Sequence, residues 1–160
     1  MLAVAFGLSA ACAAPASANR NALREIVQEQ CAVHWLQGHG AAPCERIFLP
    51  DSAHLREGYA VLADRKGGAH FLLIPTRTIA GMESPELFEP GTPHYFAAAW
   101  AARDLVAAVV GHEISRSAVA MALNPPHART QDQFHIHVEC LRTDVAKILQ
   151  KAAPAIGDAW

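Results

Sequence analysis

The chain has 160 residues, of which 52% are hydrophobic, and a formal net charge of −2. This length fits one domain with a core large enough to fold without extra cross-links. The slightly negative charge argues against a nucleic-acid-binding protein, because no broad basic surface exists to gather phosphates. Any phosphate chemistry must therefore rely on a few local donors.

The first 18 residues carry no charged side chain and end in Ala16-Ser17-Ala18, a small-x-small cleavage signature. We therefore expect residues 1–18 to form a secretory signal peptide or a membrane anchor, and residues 19–160 to form a single domain. A buried N-terminal helix is the alternative, although Pro15 interrupts the apolar run. Export would place the protein in the bacterial periplasm or on the periplasmic side of the inner membrane.

The sequence after this leader predicts a helix followed by a hairpin. Leu23, Ile26 and Val27 repeat at helical spacing. Two β-like runs, residues 59–63 and 70–74, are joined by a polar linker that contains two glycines, which is typical of a hairpin.

The second half of the chain predicts a helix, two strands and a short final helix. The first helix spans residues 94–110, with Phe96 and Trp100 packed in the core and Gly111 as its C′ residue. The remaining elements are strands over residues 117–123 and 133–141 and a helix over residues 144–152. This order of elements predicts an α+β fold with an antiparallel sheet and flanking helices.

Cys31 and Cys44 flank a loop rich in glycine, proline and histidine. In an oxidising compartment they would form a disulfide that stabilises the fold by ~3 kcal/mol. Two free buried thiols are one alternative. A zinc site with His34 and His39 is another, although these spacings match no strong zinc-finger pattern. Cys140 is expected to lie in the core.

Residues 133–140 alternate polar and apolar side chains, and alternate residues of a strand share a face. One face would present four long hydrogen-bonding groups, Gln133, His135, His137 and Glu139. The other would bury Phe134, Ile136, Val138 and Cys140. The polar face favours a functional site, although His-x-His pairs also occur on solvated strands. The two imidazoles would also suit a metal ion, but no third ligand is evident.

The pattern Asn-x6-Gln-x3-His-apolar-His, which begins at Asn124, resembles the active strand of the histidine-triad superfamily of nucleotidyl hydrolases and transferases. Residues 70–77 resemble that superfamily's earlier strand, which ends in Pro and a basic residue. The combination of residues 131–137, Glu83-Ser84-Pro85 and residues 99–104 resembles a narrower family, the CDP-diacylglycerol pyrophosphatases. The resemblance extends from about residue 22 to residue 160, and it implies a histidine-triad-like antiparallel sheet.

The resemblance implies a role for each matching residue of the active strand. His137 takes the middle position of the triad and would be the nucleophile. His135 takes the first position, and Glu139 stands where the superfamily usually has its third histidine. Asn124 and Gln131 match polar positions that contact phosphate, and Gln131 would also stabilise developing charge.

Three further residues are candidate substrate contacts. Arg77 would donate to the non-bridging oxygens, and Gln133 would lie on the polar face beside the histidines. Asp64 would contact a ribose hydroxyl, with an ordinary turn aspartate as the alternative. Glu139 departs from the superfamily pattern, since a carboxylate repels phosphates unless it is protonated or turned away.

The resemblance implies hydrolysis of the phosphoanhydride of CDP-diacylglycerol to CMP and phosphatidate through a nucleotidyl-histidine intermediate. The scheme requires no metal and no other cofactor. The alternatives are a hydrolase or transferase of soluble nucleotides in the same superfamily, and a nucleotide-binding module without turnover.

The resemblance also implies which molecules the protein would contact. The substrate would be a nucleotide-bearing lipid, met at the membrane through the N-terminus, and no nucleic acid is expected. Family members usually continue well past residue 160, so we expect their C-terminal part to be absent here. We therefore expect the chain alone either to self-associate, for example as a homodimer, or to be only weakly active, with Trp160 exposed or at an interface.

Overall fold

The computed structural model of the chain describes residues 19–157. It contains a five-stranded antiparallel sheet with the order β1-β2-β3-β5-β4. The strands are β1 (Arg46–Phe48), β2 (Tyr59–Ala63), β3 (His70–Pro75), β4 (Val119–Ala122) and β5 (Ile136–Cys140). The predicted α+β fold with an antiparallel sheet and flanking helices is confirmed.

The helices lie before, between and after these strands. They are α1 (Ala22–Glu25), a π-helical segment (Ile26–Cys31), α2 (Ala32–Leu36), α3 (Tyr95–Ala101), α4 (Arg103–Val110) and α5 (Thr143–Ala152). Across residues 19–157, none of them combines the length and the apolar character that a bilayer crossing requires.

The N-terminal helical segments cover one face of the sheet. Leu23, Val27 and Cys31 are buried at intervals of four residues and pack with apolar side chains of β1, β2 and β3. Cys31 forms a disulfide with Cys44, and their Cα atoms lie 5.7 Å apart. The bond joins this helical layer to the segment that leads into β1.

Helices α3 and α4 cover the opposite face, but not with the predicted residues. Tyr95, Ala99 and Val106 are buried, whereas Phe96 is 46% exposed. The prediction that Phe96 packs in the core is therefore wrong, and Trp100 is only half-buried, with the guanidinium groups of Arg103 and Arg116 over its ring. The residues that pack against the sheet here are Tyr95, Ala99 and Val106, together with Ala102 between the two helices.

The helix predicted over residues 94–110 is divided at Ala102. The guanidinium of Arg103 donates to the carbonyl oxygen of Trp100 at 2.7 Å, next to this break. Gly111 follows α4 with φ of +83°, the left-handed conformation expected of a residue that ends a helix. At the other end, the Nδ1 atom of His94 accepts a hydrogen bond from the backbone amide of Ala97.

β5 is shorter than the predicted strand over residues 133–141. The segment before it follows the chain beyond β3, where the backbone amide of Phe134 donates to the carbonyl oxygen of Ile79. Ladder pairing of β3 ends at Pro75, which has no N–H to donate. The predicted alternation therefore fails at both ends, since Gln133 is buried and Cys140 is exposed.

Candidate functional site

His137 lies on β5, which runs between β3 and β4, and it shares a face of the sheet with Leu72 of β3, opposite to the face that packs against α3 and α4. In the pairing register it stands between Leu72 of β3 and Ala122 of β4. Glu139, two residues further along β5, stands between His70 and Ala120. The small alanines of β4 leave the edge-strand side of the His137 ring open, and the ring is half-buried.

A chain of polar contacts runs from His137 to a carboxylate. Its Nδ1 atom lies 2.8 Å from Nε2 of His70, and Nδ1 of His70 lies 3.7 Å from Oδ2 of Asp64. The β2–β3 hairpin creates this arrangement, because the backbone amide of Asp64 donates to the carbonyl oxygen of His70 and closes the turn. The carboxylate therefore faces the His70 ring, and the His70 ring contacts the His137 ring.

The second ring nitrogen of His137 faces the opposite way. Its Nε2 atom lies 3.1 Å from Nδ2 of Asn124. If His70 directs its Nδ1–H toward Asp64, its Nε2 must accept the hydrogen of His137 Nδ1. His137 Nε2 then carries the lone pair, and Asn124 donates to it. A nitrogen in this state is a nucleophile.

The surroundings keep His137 uncharged. Burial, with smaller contributions from the neighbouring rings of His135 and His70, lowers the pKa of His137 to about 4. Burial also lowers the pKa of His135. Both imidazoles are therefore neutral near pH 7, as a nucleophile and an adjacent base must be.

His135 supports the site from just before β5. Its Nδ1 atom lies 2.7 Å from the carbonyl oxygen of Gln133, and its ring meets the ring of His137 edge-on, with centroids 4.9 Å apart. Because a carbonyl oxygen only accepts, Nδ1 of His135 carries the hydrogen and Nε2 carries the lone pair.

The structure brings together five of the predicted site residues. His135, His137 and Glu139 share the β5 region, Asn124 contacts His137, and Asp64 reaches it through His70. Within residues 19–157, Asp64, His70 and His137 offer ligand atoms that all lie within 4.8 Å of one another. Two imidazoles and a carboxylate are donors that suit Zn²⁺. This group differs from the pair of His135 and His137 that the sequence suggested.

Three predicted residues make their contacts elsewhere. Gln131 accepts from the amide of Leu23 and donates to the carbonyl of Asn19. Gln133 is fully buried and donates to the carbonyl oxygens of Pro75 and Arg77, so its predicted place on the polar face is wrong.

Arg77 is engaged with the loop that follows β3. Its guanidinium pairs with Glu89 and donates to the hydroxyl of Thr92. The side chain is 10% exposed, so these contacts fix it where it lies.

Sequence reasoning missed His70. Its signal was its place at the start of the second hairpin strand, two residues after Gly68 and across the turn from Asp64. Two polar residues that close a hairpin lie side by side. The proximity of Asp64 and His70 could therefore have been predicted from the sequence. The pairing of β3 with β5, which adds His137, could not.

Comparison with known proteins identifies the family of the chain. Its sequence matches the CDP-diacylglycerol pyrophosphatase family over residues 18–160. The chain belongs to this family. A CDP-diacylglycerol pyrophosphatase from Yersinia pestis is 38% identical over 142 residues, which are 89% of this chain and 53% of that protein. The chain thus spans about half the length of this curated relative.

The resemblance to the CDP-diacylglycerol pyrophosphatase family predicted from the sequence is confirmed by this match. Among solved structures, a HIT family hydrolase from Clostridium thermocellum aligns with 72% of this chain and 93% of its own, at 20% identity and a TM-score of 0.42.

A charged cluster lies beside the histidines of this pyrophosphatase-family chain. Arg129 pairs with Glu83 at 2.5 Å and with Asp132 at 3.2 Å, and Arg20 pairs with Asp132 at 2.6 Å. The hydrogen bond from Arg20, together with that from Arg129, lowers the pKa of Asp132 to about 2. The carboxylate is therefore ionised under all ordinary conditions.

Proposed function

We propose that this chain hydrolyses the phosphoanhydride bond of CDP-diacylglycerol and releases CMP and phosphatidate. The observation that carries the proposal is the state of His137. Burial keeps its ring neutral near pH 7, its Nε2 atom lies 3.1 Å from the amide nitrogen of Asn124, and its Nδ1 atom contacts His70, which faces Asp64. Membership of the pyrophosphatase family supports the choice of substrate.

In the first step, Nε2 of His137 attacks the phosphorus that carries the cytidine. The bond from this phosphorus to the bridging oxygen breaks, and the oxygen leaves with the electron pair as part of phosphatidate. The His137 ring becomes positive as the nitrogen–phosphorus bond forms. Its Nδ1–H is hydrogen-bonded to His70, which faces Asp64, so the carboxylate stabilises the developing charge.

In the second step, water attacks the same phosphorus and displaces the imidazole. The electron pair of the nitrogen–phosphorus bond returns to Nε2 of His137, and CMP leaves. The proton of the attacking water moves to Nε2 of His135, whose other nitrogen is held by the carbonyl oxygen of Gln133. When the substrate binds, Asn124 exchanges its hydrogen bond to Nε2 of His137 for one to the phosphoryl oxygens, and it donates to these oxygens in both steps.

The experiment is to measure CMP release from CDP-diacylglycerol in detergent micelles. His137→Ala should lower kcat by at least about 1,000-fold, whereas His112→Ala, an exposed histidine on a loop, should leave it unchanged. Release of CMP from a soluble CDP ester but not from CDP-diacylglycerol would show that the substrate is a soluble nucleotide and not the lipid. Unchanged turnover in His137→Ala would overturn it.

The intermediate has its own test. Radiolabelled substrate, quenched in alkali during turnover, should leave label on the chain, because a phosphoramidate survives base and breaks in acid. His137→Ala should carry no label, and label that resists acid would point to another nucleophile.

We further propose that the protein works outside the cytoplasm, on the periplasmic side of a bacterial inner membrane. The disulfide between Cys31 and Cys44 supports this, since such bonds persist in oxidising compartments. The uncharged leader of residues 1–18 supports it too, although that segment lies outside the described residues. Fractionation of cells that express the tagged chain would test it, and recovery in the cytoplasm would refute it.

A further inference from the structure

A narrow surface cleft of about 10 Å³, which is room for about one water molecule, lies next to Asn124, the residue that contacts Nε2 of His137. Gly81, on the loop after β3, forms one wall, and Asn124, Arg129 and His135 line the rest. Asn124 contacts Nε2 of His137 and also lines the cleft. A group at the cleft therefore lies close to the attacking nitrogen. Asp64 and His70 lie on the other side of the ring, at its Nδ1 atom.

Arg129 is fixed in this cleft by three neighbours. Its Nη1 atom donates to Glu83 at 2.5 Å and its Nε atom donates to Asp132 at 3.2 Å. Gly81 leaves room for the guanidinium, because a Cβ at that position would lie 2.1 Å from Nη1. Its side chain is 12% exposed, and Nη2 has no hydrogen-bond partner among residues 19–157. One edge of a rigid guanidinium therefore stays available.

The charge of the cluster also leaves Arg129 able to bind an anion. Its two carboxylate partners are Glu83 and Asp132, and Arg20 binds the second of them through both Nε and Nη2. Two arginines thus share two carboxylates. A further anion in the cleft meets a prepositioned guanidinium rather than a net negative site.

We propose that the second phosphate of the substrate, the one that leaves with the lipid, binds at the mouth of this cleft, and that Arg129 is the residue that holds it. The inference rests on the proposed function, because it assumes that the attacked phosphorus lies at Nε2 of His137. The two phosphates of a diphosphate share one oxygen, so the second must lie beside the first, on the Asn124 side. Negative charge grows on this second phosphate as the bridging bond breaks, and Arg129 stabilises it there.

Two substrates with the same nucleotide distinguish this role from a structural one. CDP-diacylglycerol has the second phosphate, whereas the 4-nitrophenyl ester of CMP replaces it with nitrophenolate. Arg129→Ala should lower kcat/KM for CDP-diacylglycerol about 100-fold and change that for the nitrophenyl ester less than about 3-fold. Arg129→Lys should restore part of the loss, since an ammonium still neutralises the phosphate but cannot bind it through two N–H groups.

Two further variants complete the design. Gly81→Ala should reproduce the selective loss, because the added methyl displaces the guanidinium without removing it. Arg116→Ala, an exposed arginine that stacks on Trp100, is the matched control and should affect neither substrate. Equal losses on both substrates in Arg129→Ala, with a lower Tm, would show a structural role and overturn the inference. So would an absence of loss on either substrate.

A binding measurement separates this inference from the proposed function. Titration calorimetry of the intact 160-residue chain with CDP and with CMP should give a lower Kd for CDP, and Arg129→Ala should remove the difference. This result does not require turnover, so it stands even if CDP-diacylglycerol proves to be the wrong substrate. Equal affinities of the original chain for the two nucleotides would refute the subsite while leaving the role of His137 intact.

Discussion

The Nδ1 atom of His137 lies 2.8 Å from Nε2 of His70, and this contact joins two strands whose residues are 67 positions apart in the sequence. Two neutral imidazoles form such a bond only when one donates and the other accepts. The carboxylate of Asp64 faces Nδ1 of His70 at 3.7 Å and favours a hydrogen on that nitrogen. Nε2 of His70 is then the acceptor, and Nδ1 of His137 is the donor. We therefore expect Asp64, which does not touch His137, to set the tautomer of its ring.

Asp64→Asn should lower kcat by about 10- to 100-fold with little change in KM, because an amide can hold His70 in the wrong tautomer. Steady-state kinetics on CDP-diacylglycerol would measure both constants. Asp51→Asn is the matched control, since Asp51 also pairs with a histidine but is exposed. A rise in KM alone would mean that Asp64 contacts the ribose instead, as the sequence suggested.

The pH dependence should follow the low pKa of His137. The free enzyme's kcat/KM should fall on the acid side with a midpoint near pH 4, well below the ordinary histidine value of 6.5. Stability should change in the same range. The unfolded chain takes up a proton at His137 near pH 6.5 and the folded chain only near pH 4, so this site's contribution is present above pH 6.5 and is lost as the pH falls toward 4.

Chemical denaturation at pH 7 and at pH 4.5 would measure the stability effect. The drop in the free energy of unfolding between the two should be smaller in His137→Gln, which has no titrating ring. A kcat/KM midpoint near 6.5 would show that the ring is more hydrated than its half-buried position indicates.

The disulfide should contribute measurably to stability. Replacing both Cys31 and Cys44 by serine should lower the free energy of unfolding by about 3 kcal/mol, because the helical layer is no longer tied to the segment before β1. Alkylation of the folded protein without reduction, followed by mass analysis, should label Cys140, the exposed free cysteine of the described part, and neither Cys31 nor Cys44. Labelling of both would contradict the bond.

Helix α5 should promote self-association. It has no buried side chain, and Ile148 and Leu149 are 66% and 47% exposed. Light scattering on the protein without residues 1–18 should show a dimer or larger species, and Ile148→Glu should shift it toward the monomer. Lys151→Glu, on the same helix, is the control. A stable monomer with full hydrolase activity would refute the prediction. The expected interface position of Trp160 lies outside the described residues.

The sequence by itself determined the family and most of the elements, although it predicted neither β1 nor the division between α3 and α4. Alternation over residues 134–138 correctly predicted the core of β5, and the glycine-containing linker correctly predicted the hairpin of β2 and β3. These features are local, since each depends on spacing within one short segment, and a single sequence contains that information. The family match depends on the same motifs.

The contacts that make the site were decided by the tertiary structure alone. Gln133 fits the polar face by spacing, yet it is buried because the chain before β5 turns to follow the segment after β3. His70 meets His137, and Arg129 reaches Gly81, only because strands and loops distant in sequence pack together. Such pairings are fixed by the register between strands and by the room that each side chain finds in the packed molecule. Local periodicity contains neither quantity.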